Sequence, residues 1–101
     1  MGIQVVLETE DGDAIETVED PTNILGRLLP EVGDSRYVCL GVIDWYGDTV
    51  FNCLQIERFI LEWDRATESA AEADRGFVVA VRKMAERLRR ERHVYLKFYG
   101  D

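Results

Sequence analysis

The sequence predicts one α+β domain: a mainly antiparallel sheet with about three helices packed on one face. Three observations lead there. Both ends of the chain alternate apolar and polar residues with period two, as half-buried strands do, while residues 55–65 and 77–88 carry apolar stripes at helical spacing. Strands are thus segregated from helices, which favours α+β over an alternating parallel architecture. At 101 residues, with 47% hydrophobic content and ten aromatic side chains, there is material for one modest core.

The elements follow in order. Ile3, Val5 and Leu7 alternate with Gln4, Val6 and Glu8 as the first strand. The stretch "EDGD" supplies an Asp-Gly turn, because both residue types tolerate positive φ, and residues 14–18 return as the second strand. A strict two-residue turn sets Leu7 opposite Glu16, and a bulged turn sets it opposite Ile15. The bulge is preferred because it pairs apolar with apolar. Asp20-Pro21 reads as a helix start, with Asp20 as N-cap and Pro21 at the first helical position. Ile24, Leu25, Leu28 and Leu29 form its stripe over two to three turns, and Pro30 ends it.

Residues 37–43, "YVCLGVI", are apolar on both faces; their β-branched residues favour a buried strand, with a short buried helix as the alternative. Residues 49–54 have similar β character. A hairpin between the two, with Trp45-Tyr46-Gly47 as its loop, places glycine at the left-handed last loop position. In that register Val42 faces Val50, Leu40 faces Asn52, Cys39 faces Cys53 and Asp44 faces Asp48. Two facing carboxylates repel unless something answers them. They can share a proton, hold a divalent cation with Asn52 as a further oxygen ligand, or cap turn amides and point into water. If residues 35–43 are helical instead, Asp44 to Asp48 is a polar loop between helices.

After Gln55 the period changes. Ile56, Phe59, Ile60 and Trp63 share a face to about Arg65, and a connection leads to a long helix on which Phe77, Val81, Met84 and Leu88 form a stripe widened by Val78 and Ala85. Val94, Leu96 and Phe98 alternate with Tyr95, Lys97 and Tyr99 as a closing strand. The first and last strands are expected side by side.

Charge and motif content narrow the function. The net charge is −8, with seven acids and no base in the first twenty residues and six bases between Arg82 and Arg92. Such a chain repels phosphate backbones, so nucleic acid is disfavoured and a basic partner is electrostatically easier. The basic run is laced with i, i+4 pairs, Arg82–Glu86, Glu86–Arg90 and Arg87–Glu91, which reads as a solvated helix face. No P-loop, no dinucleotide-binding glycine pattern, no HExxH and no Cys/His zinc spacing occurs. Cys39 and Cys53 read as small buried hydrophobes, and His93 has no nucleophile elbow to serve. No apolar run is long enough for a membrane span, and the amino terminus lacks a signal-peptide pattern, so a cytoplasmic protein is expected. No cofactor, metal ligand or catalytic residue is assigned.

Tyr-Gly-Asp occurs at 46–48 and again at 99–101. If the last strand runs beside residues 44–52, carboxylates could converge there as an acidic pocket, but coincidence and ordinary turn chemistry are the preferred reading. The segments "YGDTVFN" and "HVYLKFYGD" resemble those of small, acidic, uncharacterised bacterial proteins, a resemblance that implies no activity. The function expected is a non-enzymatic, acidic protein-binding module of immunity or antitoxin type, recognising its partner through Asp44, Trp45, Tyr46, Asp48 and Asn52, with the acids at 8–13 in electrostatic support. Trp45 either anchors that partner or folds back onto the domain. A homo-oligomer is left open. The alternative is a small-molecule or divalent-cation site, possibly a hydrolase, built from Asp44, Asp48, Asn52 and His93.

Overall fold

A computed structural model describes residues 2–100. Four strands form one antiparallel sheet: β1 (Gln4–Thr9), β2 (Ala14–Val18), β3 (Asp48–Phe51) and β4 (Val94–Tyr99), in the spatial order β2-β1-β4-β3. Three helices, α1 (Ile24–Leu28), α2 (Ile56–Ala66) and α3 (Arg75–Arg90), pack on the face that carries Val5, Leu7, Phe51, Leu96 and Phe98. The first and last strands pair at the sheet centre, with Val5 opposite Phe98 and Leu7 opposite Leu96. The expected α+β class holds, and its cause is local: the strands at the two ends turn one apolar face inward, and the helical stripes cover it.

The core is aromatic at its centre. Phe59 stacks on Trp63 with ring centroids 5.9 Å apart, Phe51 meets Phe98 edge-on at 5.9 Å, and all four rings are fully buried. The Trp63 indole N–H donates to the carbonyl of Val78 at 3.2 Å, which fixes α2 against α3. All six stripe residues of α3 are buried.

Three local expectations are corrected. The turn at 10–12 is bulged as expected, with Gly12 at φ 88° and its N–H donating to the Thr9 carbonyl. Glu8 accordingly faces Ala14. A second irregularity then moves the register by one, so Leu7 faces Glu16 and not Ile15. Ile15 is the extra residue of this bulge and still packs against the core, while Glu16 at the sheet edge meets Arg87 of α3 at 3.3 Å. Helix α1 is also shorter than two to three turns and begins at Ile24, so Pro21 is not its first residue. Asp20 still caps it, from one turn further back, by accepting the N–H groups of Ile24 and Leu25 at 2.6 and 2.8 Å.

The third correction matters most for function. Residues 37–43 are not a strand. They form turns and a single 3₁₀ turn at Leu40–Val42, with Cys39, Leu40, Gly41 and Ile43 buried and Val38 and Val42 exposed. The partner of β3 is β4, with Asp48 opposite Tyr99 and Val50 opposite Lys97. The proposed pairings of Val42 with Val50, Leu40 with Asn52, Cys39 with Cys53 and Asp44 with Asp48 do not form.

Candidate functional site

With the hairpin gone, residues 44–47 are a loop leading into β3. Asp44 makes an Asx turn: its Oδ1 accepts the Tyr46 N–H at 2.8 Å, while its own N–H donates to Thr49 Oγ1 at 2.9 Å. Asp48 opens β3 opposite Tyr99. Asn52 belongs to the turn before α2, where its Oδ1 accepts the Leu54 N–H and its own N–H donates to Gln55 Oε1, both at 2.9 Å. The structure therefore gives Asp44 and Asn52 separate turn-stabilising duties. Neither proton sharing nor shared metal ligation between Asp44 and Asp48 has the facing geometry it required.

His93 lies still further away. It precedes the opposite end of β4 from Tyr99 and so from Asp48, roughly 20 Å along the strand. Its Nδ1 lies 3.0 Å from Glu10 Oε2, across the mouth of the β1–β2 turn. Among the described residues, no three of His, Cys, Asp and Glu gather closely enough to hold a metal ion. Both cysteines are free; Cys39 is buried, as expected of a small hydrophobe, and Cys53 is half-buried.

The repeated Tyr-Gly-Asp does bring two segments together. The Gly100 N–H donates to the Gly47 carbonyl at 2.7 Å, beside the Asp48–Tyr99 pair. Contact there is backbone on backbone: a Cβ on Gly100 would stand 2.6 Å from the Trp45 carbonyl carbon and oxygen. Asp101 lies outside the described residues, so a convergence of carboxylates with it is not described.

The two tip aromatics separate. Trp45 is half-buried and packs against the core, whereas Tyr46 is 85% exposed. Beside them opens a groove of about 560 Å³ lined by Val32, Gly33, Gly41, Val42, Asp44, Trp45 and Tyr46. Val32 and Val42 are 66% and 58% exposed, so three large apolar side chains share one uncovered patch. Sequence reasoning missed both valines. Val32 was legible only as a lone apolar residue in a polar turn, and Val42 was assigned to a buried strand.

Three buried carboxylates were also missed: Asp74, which pairs with Arg27 at 2.9 Å, Glu8 and Glu62. Glu8, read as a surface acid, is buried on the sheet face opposite the helices, where it accepts the Tyr99 hydroxyl and lies 2.9 Å from Lys97 Nζ. Burial pushes its pKa up, but the Tyr99 and Lys97 hydrogen bonds and the Lys97 charge outweigh that and leave it below the usual value. Glu62 on α2 is 1% exposed and accepts the N–H groups of Val38, Cys39 and Leu40, together with Arg58 Nε. Burial again acts upward, and those four donors again win, so its pKa is lowered. At the surface, Asp34 is held down to about 2 by the side chain and backbone N–H of Arg36.

The basic run at the end of α3 is answered in part, at three of its six bases, and among the described residues the expected Glu86–Arg90 pair does not form. Arg82 pairs with Asp64 and Glu86, Arg87 with Glu16 and Glu91, and Arg89 with Glu57. Among the described residues, no helix is long and apolar enough to cross a membrane.

No protein-family model matches this chain, and neither a curated protein nor a solved structure shows significant similarity to it.

Proposed function

We propose that the chain is a non-enzymatic binding module that recognises another protein through the groove beside Tyr46, as an immunity- or antitoxin-type protein does. One observation carries this reading: Val32, Val42 and Tyr46 expose apolar surface around a single concave site, next to an aromatic already anchored by the core. Exposed aromatics beside an apolar pocket are typical energetic centres of protein interfaces. The net charge of −8 and the Asp44 carboxylate in the groove wall favour a partner with an apolar side chain flanked by Lys or Arg. Of the residues first nominated, Asp44, Trp45 and Tyr46 line the groove, and Asp48 and Asn52 do not.

The test compares proteins retained by the tagged wild type with those retained by Val42→Asp and Tyr46→Ala. A polypeptide held by the wild type and lost by both variants, at unchanged melting temperature, is the expected result. Equal retention by all three forms rejects the groove as the binding site. Binding of a true partner is expected to weaken about tenfold or more on loss of the Tyr46 ring, as interface aromatics commonly do.

A further inference from the structure

The groove is built by a segment with no strand of its own, and one carboxylate holds that segment in place. Glu62 projects from α2 into three successive backbone amides. The Cys39 and Leu40 N–H groups donate to Oε1 at 2.9 and 3.0 Å, and the Val38 N–H donates to Oε2 at 2.9 Å. Arg58, one turn earlier on α2, completes the set by donating from Nε to Oε2 at 2.7 Å. These amides are the ones a strand would have paired.

The consequences run directly to the groove. The 3₁₀ turn at Leu40–Val42 starts where the three amides end, and it places Gly41 and Val42 in one groove wall. The Gly41 carbonyl accepts the Gly33 N–H at 2.8 Å, which ties the Val32 side to the same turn. Gly41 is packed so tightly that a Cβ there would stand 2.8 Å from the Asp34 carbonyl oxygen. Both walls therefore hang on the 38–41 backbone, and that backbone hangs on Glu62. Without the carboxylate, buried amides lose their acceptor, and an unpaired buried donor is costly enough to drive local rearrangement.

We infer that Glu62 is the positioning residue of the groove: with Arg58 it latches residues 38–43 to α2, and that segment opens as a unit separate from the sheet. The inference rests on reading the groove as the binding site, but its test needs no partner. Native-state hydrogen exchange is measured by NMR on the wild type, on Glu62→Gln, which keeps the shape and loses the charge, and on Arg58→Ala, which removes one donor from an exposed side chain.

In Glu62→Gln the amides of residues 38–43 are expected to exchange roughly 10- to 100-fold faster, the loss of one or two charge-assisted hydrogen bonds. Amides of Val5, Leu7, Leu96 and Phe98 in the central strands should change by less than about threefold. Arg58→Ala should accelerate the same segment alone, by a smaller factor, and decides the matter if Glu62→Gln does not fold. Uniform acceleration of segment and sheet, or none in the segment, overturns the latch. Failure of the groove reading shows up elsewhere, as unaltered partner retention by Tyr46→Ala, in which Glu62 is untouched.

Discussion

Trp45 and Tyr46 are neighbours with opposite duties, and the difference sets what each substitution reports. Trp45 is packed against the core, so Trp45→Ala is expected to cost about 1–3 kcal/mol of stability in urea unfolding. Tyr46 exposes 85% of its surface, so Tyr46→Ala should stay within about 0.5 kcal/mol. Tyr46 is therefore the clean probe of binding, and Trp45 is not. A stable Trp45→Ala protein would mean that the ring contributes little to the core. Neither outcome was legible beforehand, because Asp44 to Asn52 shows two large aromatics in a polar loop without saying which one turns inward.

The junction of β3 with β4 depends on close backbone approach. Gly100 meets Trp45 and Asp44 main-chain atoms at 2.6–2.7 Å from where a Cβ would be, and main chain cannot step aside as a flexible side chain can. Gly100→Ala is accordingly expected to destabilise by about 1–3 kcal/mol and to disturb the 44–47 loop, read by unfolding and by amide shifts of residues 45–48. Gly76, in the first turn of α3, has nothing within 4 Å of its missing Cβ. Gly76→Ala is expected to stabilise by about 0.5 kcal/mol through helix propensity and reduced freedom of the unfolded chain. Opposite signs for two glycine-to-alanine changes distinguish contact from conformational entropy; a neutral or stabilising Gly100→Ala would contradict the tight β4–loop contact.

Two buried carboxylates tie the molecule together over long sequence distances: Glu8 joins β1 to β4, and Glu62 joins α2 to the groove segment. Both have pKa values below the usual 4.5. A carboxylate whose pKa is lower folded than unfolded binds fewer protons in the folded state. Its stabilisation is complete above the unfolded value and is lost as pH falls through the folded one. Stability should therefore hold from pH 7 to about 5 and decline below about 4.5. Glu8→Gln is expected to lower stability at pH 7 by about 1–3 kcal/mol and to flatten the acid decline. Urea midpoints between pH 7 and 3 check this, and an unchanged acid slope in Glu8→Gln would show that its ionised form is not what the fold holds.

By itself the sequence determined the elements whose apolar pattern is periodic: β1 and β4, the stripes of α2 and α3, the glycine-bulged turn and the α+β class, although β1 is buried on both faces from Val5 to Glu8. Those signals arise within a few residues, where alternation or a 3.6-residue repeat states which side is inward. Tertiary structure alone decided the path of residues 37–43, the inward turn of Trp45 and the burial of Glu8. The apolar run at 37–43 favours a strand by its β-branched residues, but its period excludes no short helix. Its three amides found their acceptor on Glu62, 22 to 24 residues further along the chain. The same holds for the edge register, where a bulge leaves Ile15 unpaired and packed against the core. Where a backbone group or a charge is answered by a partner distant in sequence, no local pattern records the choice; the groove beside Tyr46 is a product of such choices.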